Sequence, residues 1–468
     1  MTGTHVDASG ADRQVASDRR GRLAALTFGP LRPPTLTGPW RAVLIVGLIV
    51  VGTLLSLART PLGLWDVLWA EDGAIFLSQA LSRGPDVLFQ GYAGYMHLVP
   101  RLAAELTVLL PISVVPVAVT IIAALLTSLT ACACFVFMET RLASVPLRFA
   151  AWLACLVLPI MGGEVVNNLA NLHWFLLVAA FCATLVRSRS YPFAVLQGVA
   201  VFAAVASDAL ALLLLPFLVY RWFVYGARRD RIPTLAFVLA AALQIAVVVS
   251  QMLTGGRPIG SGRPTAVEFF ELYAVRVALG SLTGVRGTVR LVEGVGPSLP
   301  WITLALITAA LVAACWLDRD RRVGIAAFAI SSLVFAGIVH SLQWEALAPV
   351  PLLDLFTGGR YAVVPVSLLL LAMLQAADAF LVHVQRDRLR KGIALALAVA
   401  VLIPVAVDLR SRSVREGTAD WTDAIEQAEI DCDLPDNPAN GVVTVMVAPA
   451  GFSGMLMPCA VLEGPAED

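Results

Sequence analysis

Residues 233–253 read PTLAFVLAAALQIAVVVSQML and contain no charged side chain. A helix of this length rises about 30 Å, the thickness of the hydrocarbon core of a bilayer, so the stretch predicts a transmembrane helix. Ten further apolar runs repeat the pattern, the third and fifth of the eleven being short. These runs lie at 41–60, 117–138, 149–162, 172–186, 192–207, 209–225, 300–317, 323–340, 361–382 and 392–408. We therefore expect an all-α polytopic membrane protein with about eleven transmembrane helices.

The composition supports the same class of protein. The 468 residues are 59% hydrophobic and 14% charged, with a mean hydropathy of +0.82, whereas soluble proteins have about 45–50% apolar and about 25% charged residues. Soluble multidomain, disordered, fibrous and disulfide-rich secreted proteins are excluded. A net charge of zero gives no indication of nucleic acid as a partner. A single lysine, Lys391, among many arginines is typical of a GC-rich bacterial genome.

The distribution of arginine predicts the orientation. With the N-terminus inside, about two thirds of the 33 basic residues fall in cytoplasmic segments, as the positive-inside rule requires. The apolar stretch 97–110 would invert this pattern if it crossed the membrane. It carries His97, Arg101 and Glu105 at helical spacing, so we expect an amphipathic helix at the outer interface. The location predicted is a bacterial cytoplasmic membrane.

This topology divides the chain into three parts. We expect a cytoplasmic tail over residues 1–40, a membrane domain over 41–408 and a small extracytoplasmic domain over 409–468. The membrane domain has its long loops on the outer side. These loops cover about 61–116, 254–299 and 341–360. Because the cytoplasmic loops are short, we expect the functional residues to lie on the outer face.

The C-terminal tail holds the two cysteines that lie outside the apolar runs, Cys432 and Cys459. An oxidising compartment permits a disulfide between them, and a tail of about 60 residues has a marginal core that a disulfide would stabilise. The pattern predicts one helix, 419–429, and two strands, 442–448 and 455–462. The tail has too few convergent polar groups to be a catalytic domain.

Two adjacent carboxylates, Glu71 and Asp72, follow the first predicted span in the sequence WAEDGAIFLSQAL. One interpretation is structural, since acids at the start of a helix (here 71–82) favour its dipole. The other is chemical, since a carboxylate near the membrane can act as a general base. Neighbouring residues on a helix point in different directions, so we expect only one of the two to face a site.

The segment TGGRY, 357–361, closes an outer loop and opens a span. Its glycines allow close backbone approach, its helix N-terminus offers N–H groups, and the guanidinium of Arg360 suits a phosphate. We interpret Arg360 and Tyr361 as a candidate phosphate site. An interfacial Arg–Tyr anchor is the alternative.

The segment GGEVVNNLANLHW, 162–174, places polar side chains near membrane level. Amide groups and an imidazole could bind sugar hydroxyls or, with Glu164, help to hold a cation, and an acid in the following outer turn could complete the pocket. The candidate acceptor or sugar pocket comprises Asn167, Asn168, Asn171, His173 and Asp208. The metal, if one is present, is unknown.

Together, the acidic pair, the interfacial helices of the first outer loop and the Arg–Tyr mouth resemble the GT-C superfamily of integral membrane glycosyltransferases, in particular actinobacterial members with a small outer tail. The resemblance implies a polyprenyl-phosphate sugar donor and transfer with inversion. Asp72, with Glu71 as the alternative, would deprotonate a hydroxyl of a glycan, lipid-linked or protein acceptor. Arg360, with Arg101 or His97, would stabilise phosphate charge. Some members use a divalent cation.

Two other functions remain open at this stage. A transporter or flippase of lipid-linked saccharides would also have many spans and a polar outer mouth. The long outer loops and the scarcity of intramembrane ionisable residues disfavour it. A non-catalytic membrane partner in envelope assembly is the third hypothesis. Either of these would tolerate the loss of a single outer carboxylate better than a transferase would.

Overall fold

The computed structural model describes residues 24, 26–28, 32–158, 160, 163–225, 227–254, 262–408, 413–434 and 441–462. Most of the predicted cytoplasmic tail, 1–40, lies outside these residues. The described part is mainly helical. Its α-helices of seven residues or more are α1 Pro39–Leu57, α2 Leu98–Thr107, α3 Val115–Met138, α4 Val145–Leu156, α5 Leu172–Thr184, α6 Tyr191–Val205, α7 Leu215–Val224, α8 Ile232–Leu253, α9 Ala266–Leu272, α10 Gly280–Val295, α11 Leu299–Leu317, α12 Arg322–Leu342, α13 Val363–Val382, α14 Asp387–Ala400, α15 Leu402–Asp408 and α16 Trp421–Cys432.

Seven helical segments of the described residues are long and apolar enough to cross a membrane, which makes the chain a multi-pass membrane protein. These segments are Pro39–Leu57, Ile112–Met138, Arg228–Leu253, Leu299–Leu317, Arg322–Leu342, Gly359–Val382 and Asp387–Asp408. Four shorter apolar helices lie where the sequence places its third to sixth spans, at Val145–Leu156, Leu172–Thr184, Tyr191–Val205 and Ala209–Val224. The total of eleven crossings therefore stays a prediction.

The short helices differ from the predicted spans because hydropathy counts apolar residues without testing whether they form one helix. The run 149–162 was expected to cross, but its helix ends at Leu156 after 12 residues, a rise of about 18 Å. Helix α5 has 13 residues, all of them buried in protein. Proline at the first turn, which suits a helix start, opens several of the long helices, among them α3, α8 and α11.

Helix α13 lies at the centre of the bundle and packs against α12, α11, α4 and α5. Its apolar window is 83% buried, against 50% or less for the other long segments. The TGGRY mouth directly precedes this helix, so Arg360 is fixed by the most enclosed element of the fold. At the other end, Asp378 accepts the N–H groups of Ala143 and Ser144 and pairs with Arg321 at 3.1 Å. This end is the predicted cytoplasmic side.

Short helices and a small hairpin make up much of the first outer loop. Asp72–Leu77 is a π-helix that continues as the α-helix Ser78–Arg83, where the sequence predicts one helix over 71–82. Strands β1 Gly91–Tyr92 and β2 Tyr95–Met96 form an antiparallel hairpin that leads into α2. π-helical turns inside helices are frequent at functional sites.

Helix α2 is amphipathic, as expected over 97–110, but its polar stripe faces the protein rather than water. Arg101 and His97 are 1% and 3% exposed, whereas Leu102 and Leu106 are 42% and 63% exposed. The leucines are therefore the outward face, and the polar groups are available to the interior. The spacing of polar residues identifies one face of a helix without showing which way that face is directed.

The C-terminal tail folds against the first outer loop. Helix α16, strands β3 Val442–Val445 and β4 Met455–Pro458 and the short helix Cys459–Leu462 form it, and a disulfide joins Cys432 to Cys459. The helix starts and ends two to three residues later than predicted, and both strands are shorter. The N–H of Ala70 donates to Ala448 O and that of Ala448 to Leu68 O, at 2.6 and 2.9 Å.

The orientation can be checked with single cysteines at two exposed positions. We expect Glu426→Cys, on α16, to react with a membrane-impermeant maleimide in intact spheroplasts, and Asp320→Cys to react only after permeabilisation. The physical reason is the arginine bias of the loops. The unsubstituted protein gives the background. Labelling of Asp320→Cys in intact cells, with Glu426→Cys silent, would reverse the assigned sides.

Candidate functional site

Three separate segments bring two carboxylates onto one guanidinium. The first outer loop supplies Glu71, the loop 163–171 supplies Glu164 and the TGGRY mouth supplies Arg360. Arg360 Nη1 lies 3.8 Å from Glu71 Oε1, and Arg360 Nε lies 3.2 Å from Glu164 Oε1. The three side chains are 15%, 14% and 30% exposed for Glu71, Glu164 and Arg360. We call these three residues the acidic site.

Each carboxylate of the acidic site has one oxygen that does not contact Arg360. The Oε2 atoms of Glu71 and Glu164 are buried and accept no hydrogen bond within the described part of the chain. Burial raises the pKa of Glu164, and the charge of Arg360 opposes that rise. A buried oxygen without a donor is unfavourable. The arrangement therefore provides two acceptor atoms toward a ligand, a proton or a cation.

Asp72, which the family resemblance favours as the base, is directed elsewhere. It is fully buried, and its Oδ2 and Oδ1 atoms accept the N–H groups of Leu169 and Ala170 at 2.9 and 2.8 Å. Burial raises its pKa to about 7, and the two amides and Arg415 oppose that rise. The two neighbouring acids thus diverge, as expected for adjacent helical residues, and Glu71 is the one that faces Arg360.

An aromatic wall adjoins the acidic site. The ring of Tyr95 stacks on that of His97, with 4.2 Å between the ring centres, and lies edge-on to the ring of His173, with 6.1 Å between the centres. The ring centre of Trp174 lies 4.3 Å from that of His173. The Trp174 ring is edge-on to Tyr361, with 6.3 Å between the ring centres. The Tyr95 hydroxyl is within electrostatic reach of Arg360 and Asp208, and its burial raises its pKa well above the ordinary value.

His173 and Asp208 form a buried pair within this wall. His173 Nδ1 lies 2.8 Å from Asp208 Oδ2, and Asp208 Oδ1 accepts the N–H of Leu210 at 2.8 Å. A carboxylate on Nδ1 favours the tautomer that keeps the proton there, which leaves Nε2 as the nitrogen that can serve a ligand. The sequence had grouped both residues in one pocket, and the structure brings them into contact.

His97 and Arg101, the alternative helpers of Arg360, have separate partners. Burial, with His173 as a further cause, lowers the pKa of His97 well below its usual value, so His97 offers a hydrogen bond and no charge. Arg101 donates to Gln79 Oε1 at 2.7 Å and lies over the ring of Phe76. Burial lowers the pKa of Arg101 to about 10, so it remains a cation at neutral pH.

The three asparagines of the loop 163–171 hold the loop itself. Asn167 exchanges hydrogen bonds with Ser56 and donates to Thr60 Oγ1 at 2.9 Å. The amide groups of Asn168 and Asn171 both donate to Glu164 O, at 2.9 and 3.0 Å. In this structure the amide groups of Asn168 and Asn171 therefore help to position Glu164. The role of the three asparagines in binding sugar hydroxyls stays a prediction.

Two arginines outside the predicted set of site residues shape the site. Arg276 lies in the π-helix Tyr273–Leu279 and donates to Thr357 O and Asp354 O, both at 2.8 Å, which holds the TGGRY mouth. Gly358 in that mouth has φ +70°, and a Cβ atom there would lie 2.7 Å from Leu347. Arg415 enters from the tail. Neither arginine belongs to a local motif, so no spacing signal could have found it.

No protein-family model matches the chain, and no curated protein sequence does either. Among solved structures, the chain is similar to the crystal structure of an Archaeoglobus fulgidus oligosaccharyltransferase in complex with Zn and sulfate, with 12% sequence identity and a TM-score of 0.40. The match covers 83% of this chain and 56% of that one. The chain thus spans about half the length of that protein.

Within the described residues, no group of three or more His, Cys, Asp or Glu side chains is placed to hold a metal ion. The carboxylates open to a cation at the acidic site are Glu71 and Glu164, through the two Oε2 atoms. A divalent cation held there would need further ligands from a substrate or from water.

The ionisation of Asp72 is directly testable. We expect its carboxyl to stay protonated until the pH rises through about 7, whereas an exposed aspartate ionises near about 3.9. Because the pKa is higher in the folded protein, the linked stabilisation is full below about pH 4 and is lost as the pH rises through about 7. Infrared difference spectra across that range should show a protonated-carboxyl band that Asp72→Asn lacks.

Glu164→Gln is the matched control for this measurement, because burial also raises the pKa of Glu164. It should leave the Asp72 band in place. If the band survives in Asp72→Asn and disappears in Glu164→Gln, it belongs to Glu164, and its assignment to Asp72 is wrong.

Proposed function

We propose that the protein is a glycosyltransferase that moves a sugar from a polyprenyl-phosphate donor to an acceptor hydroxyl at the outer face of the membrane. The observation that carries the proposal is the acidic site, where Arg360 lies between Glu71 and Glu164 beside the aromatic wall. A cation for a leaving phosphate and a carboxylate for an acceptor hydroxyl are the two charges that this transfer requires. The resemblance of the motifs to GT-C enzymes points the same way.

Glu71 is the general base in this proposal. Its side chain is directed to Arg360, it is partly exposed and its Oε2 atom accepts no hydrogen bond from the described residues. The acceptor hydroxyl gives its proton to Glu71, and its oxygen forms a bond to the anomeric carbon. The bond from that carbon to the phosphate oxygen breaks, and the electron pair leaves with polyprenyl phosphate. Attack opposite the leaving group inverts the configuration.

Arg360 binds the donor phosphate and stabilises the charge that grows on it. The guanidinium is 30% exposed and its Nη1 contact to Glu71 is long, at 3.8 Å, so a phosphate oxygen can approach the planar fork. Tyr361 lies under the same guanidinium, with the Arg360 Cζ atom 5.1 Å from the ring centre.

The aromatic wall is the proposed sugar subsite. Flat rings of Tyr95, Trp174 and Tyr361 offer apolar faces with polar edges, and the His173–Asp208 pair offers a fixed hydrogen-bonding nitrogen. Those groups can orient a pyranose or furanose ring beside Arg360. The sugar and the acceptor are open. Lipid-linked, glycan and protein acceptors each present the hydroxyl that the mechanism requires.

The first test compares Glu71→Gln with wild-type protein in nanodiscs, supplied with a panel of polyprenyl-phosphate sugars and an envelope acceptor extract. We expect Glu71→Gln to lower kcat by about 10²- to 10⁴-fold, since it removes the base and keeps the side-chain shape. The readout is release of polyprenyl phosphate, with and without added divalent cation. Asp86→Asn, an exposed acid of the same outer loop, is the control and should keep full activity.

Equal rates for Glu71→Gln and wild type would remove Glu71 from the role of base. Absence of product from every donor, with the extract shown to be competent, would defeat the transferase. Transfer of labelled donor across vesicles without covalent product would then support the flippase.

Arg360 is tested by two substitutions. We expect Arg360→Gln to lower kcat/KM for the donor by about 10²- to 10³-fold, because a charge-stabilising donor is lost in the transition state. Arg360→Lys keeps the charge without the planar fork, so its loss should be smaller. The steady-state rate is followed against donor concentration, with the exposed Arg290→Gln as the matched control. A larger loss in Arg360→Lys than in Arg360→Gln would contradict a role in holding phosphate charge.

A further inference from the structure

Arg415 belongs to the C-terminal tail, and its side chain is buried against the membrane domain. Its side chain is 2% exposed. Its Nη1 atom donates to Leu64 O at 3.2 Å and Thr120 Oγ1 at 3.1 Å, and its Nη2 atom donates to Asn167 O at 2.6 Å. One guanidinium from the tail therefore joins the first outer loop, helix α3 and the loop 163–171.

Asp72 holds the same loop only two residues further on. The Asp72 carboxylate accepts the N–H groups of Leu169 and Ala170, while Arg415 takes the carbonyl of Asn167. The loop thus presents one carbonyl to Arg415 and two consecutive N–H groups to Asp72. Burial lowers the pKa of Arg415 to about 10, and the charge of Asp72 opposes that change.

The backbone between these contacts is held in an unusual conformation. Asn167 has φ +52°, a left-handed geometry that residues with a side chain seldom adopt, although asparagine does so more readily than most. Such a conformation persists only where the surroundings over-determine it. The side-chain bonds of Asn167 to Ser56 and Thr60, together with the Arg415 bond to its carbonyl, supply those constraints.

The held loop carries Glu164 to Arg360. The carbonyl of Glu164 accepts from Asn168 and Asn171, which lie on either side of the two amides that Asp72 binds. A displacement of the loop would therefore move the Glu164 carboxylate, and with it the guanidinium that Glu164 contacts at 3.2 Å. Mispositioning of a reacting group by about 1 Å can lower a rate by about 10²-fold.

We propose that Arg415 and Asp72 are a pair of positioning residues, through which the C-terminal tail fixes the loop 163–171 and so aligns Glu164, Arg360 and Glu71. This inference rests on the proposed function for its kinetic consequence, and on the contacts alone for its structural one. The tail is then part of the site and not a separate appendage.

Amide hydrogen exchange tests the structural part without any substrate. In the full-length protein in nanodiscs, we expect Arg415→Gln to raise exchange at Leu169 and Ala170 at least about tenfold, since their acceptor loses its partner charge and the loop its anchor. Trp421→Phe is the matched control. It removes another hydrogen bond of the tail, from Trp421 Nε1 to Ile112 O at 2.9 Å, and should leave exchange in the loop unchanged.

Kinetics separate positioning from a general loss of folded protein. We expect Arg415→Gln to lower kcat about 10²-fold per folded molecule with little change in KM, and Trp421→Phe to lower thermal stability with kcat unchanged. In a pair that acts as a unit, the double variant Arg415→Gln/Asp72→Asn should lose no more activity than the worse single variant.

The pH profile distinguishes the charge of Arg415 from its geometry. The charged groups that act on Asp72 are Arg415 and Glu71. The Arg415 cation opposes the rise in the Asp72 pKa. In Arg415→Gln the decline of kcat on the acidic side of the pH profile, its acidic limb, should therefore move to higher pH. Arg415→Lys should keep the limb in place and still lose rate, because an ammonium cannot make the three separate contacts.

The outcomes are distinguishable. Wild-type protein without activity on any donor would defeat the proposed function, and the exchange measurement would still decide the positioning role. Unchanged exchange at Leu169 and Ala170 in Arg415→Gln, or a rate loss equal to the loss of folded protein with the acidic limb unmoved, would overturn the inference.

Discussion

One buried carboxylate determines the arrangement of the outer face. Asp72 is removed from water, which is unfavourable for an ionised group, and its two oxygens are satisfied by consecutive amides of a loop almost a hundred residues away in the chain. Because both oxygens are committed, the orientation of the π-helical turn is fixed. The preceding residue, Glu71, then has to leave the turn on another side, toward Arg360. The acidic site follows from that geometry.

The tail completes the support of this turn. A bridge between Trp69 and Ala448 pairs the backbone on one side of the acidic residues. On the other side Ser78 Oγ accepts the N–H of Leu456 at 2.8 Å. Gly73 between them packs so closely on Val447 that a Cβ atom would lie 2.6 Å away. A small unit with a limited core of its own thus gains stability from the loop that it holds.

The sequence predicts the fold well where the physics is local. Apolar length locates the long helices because each satisfies its own backbone hydrogen bonds, but it overestimates the run 149–162, whose helix ends at Leu156. Polar side chains near membrane level can be located from the sequence, and burying them requires partners. Which partner each one takes was not predictable: Asn167 and Arg415 meet across 248 positions, and no spacing rule reaches that far.

The same limit explains the assignment of the acidic pair. Sequence alone shows that two adjacent acids cannot both face one site, and the resemblance favoured Asp72. The choice depends on where a distant loop places two amide groups, which is tertiary information. At the acidic site the cation is equally decisive. Two carboxylates near hydrocarbon repel each other, and Arg360 between them makes their proximity tolerable. The functional unit is consequently the set of three residues, since removing the cation leaves the two neighbouring carboxylates without an opposite charge between them.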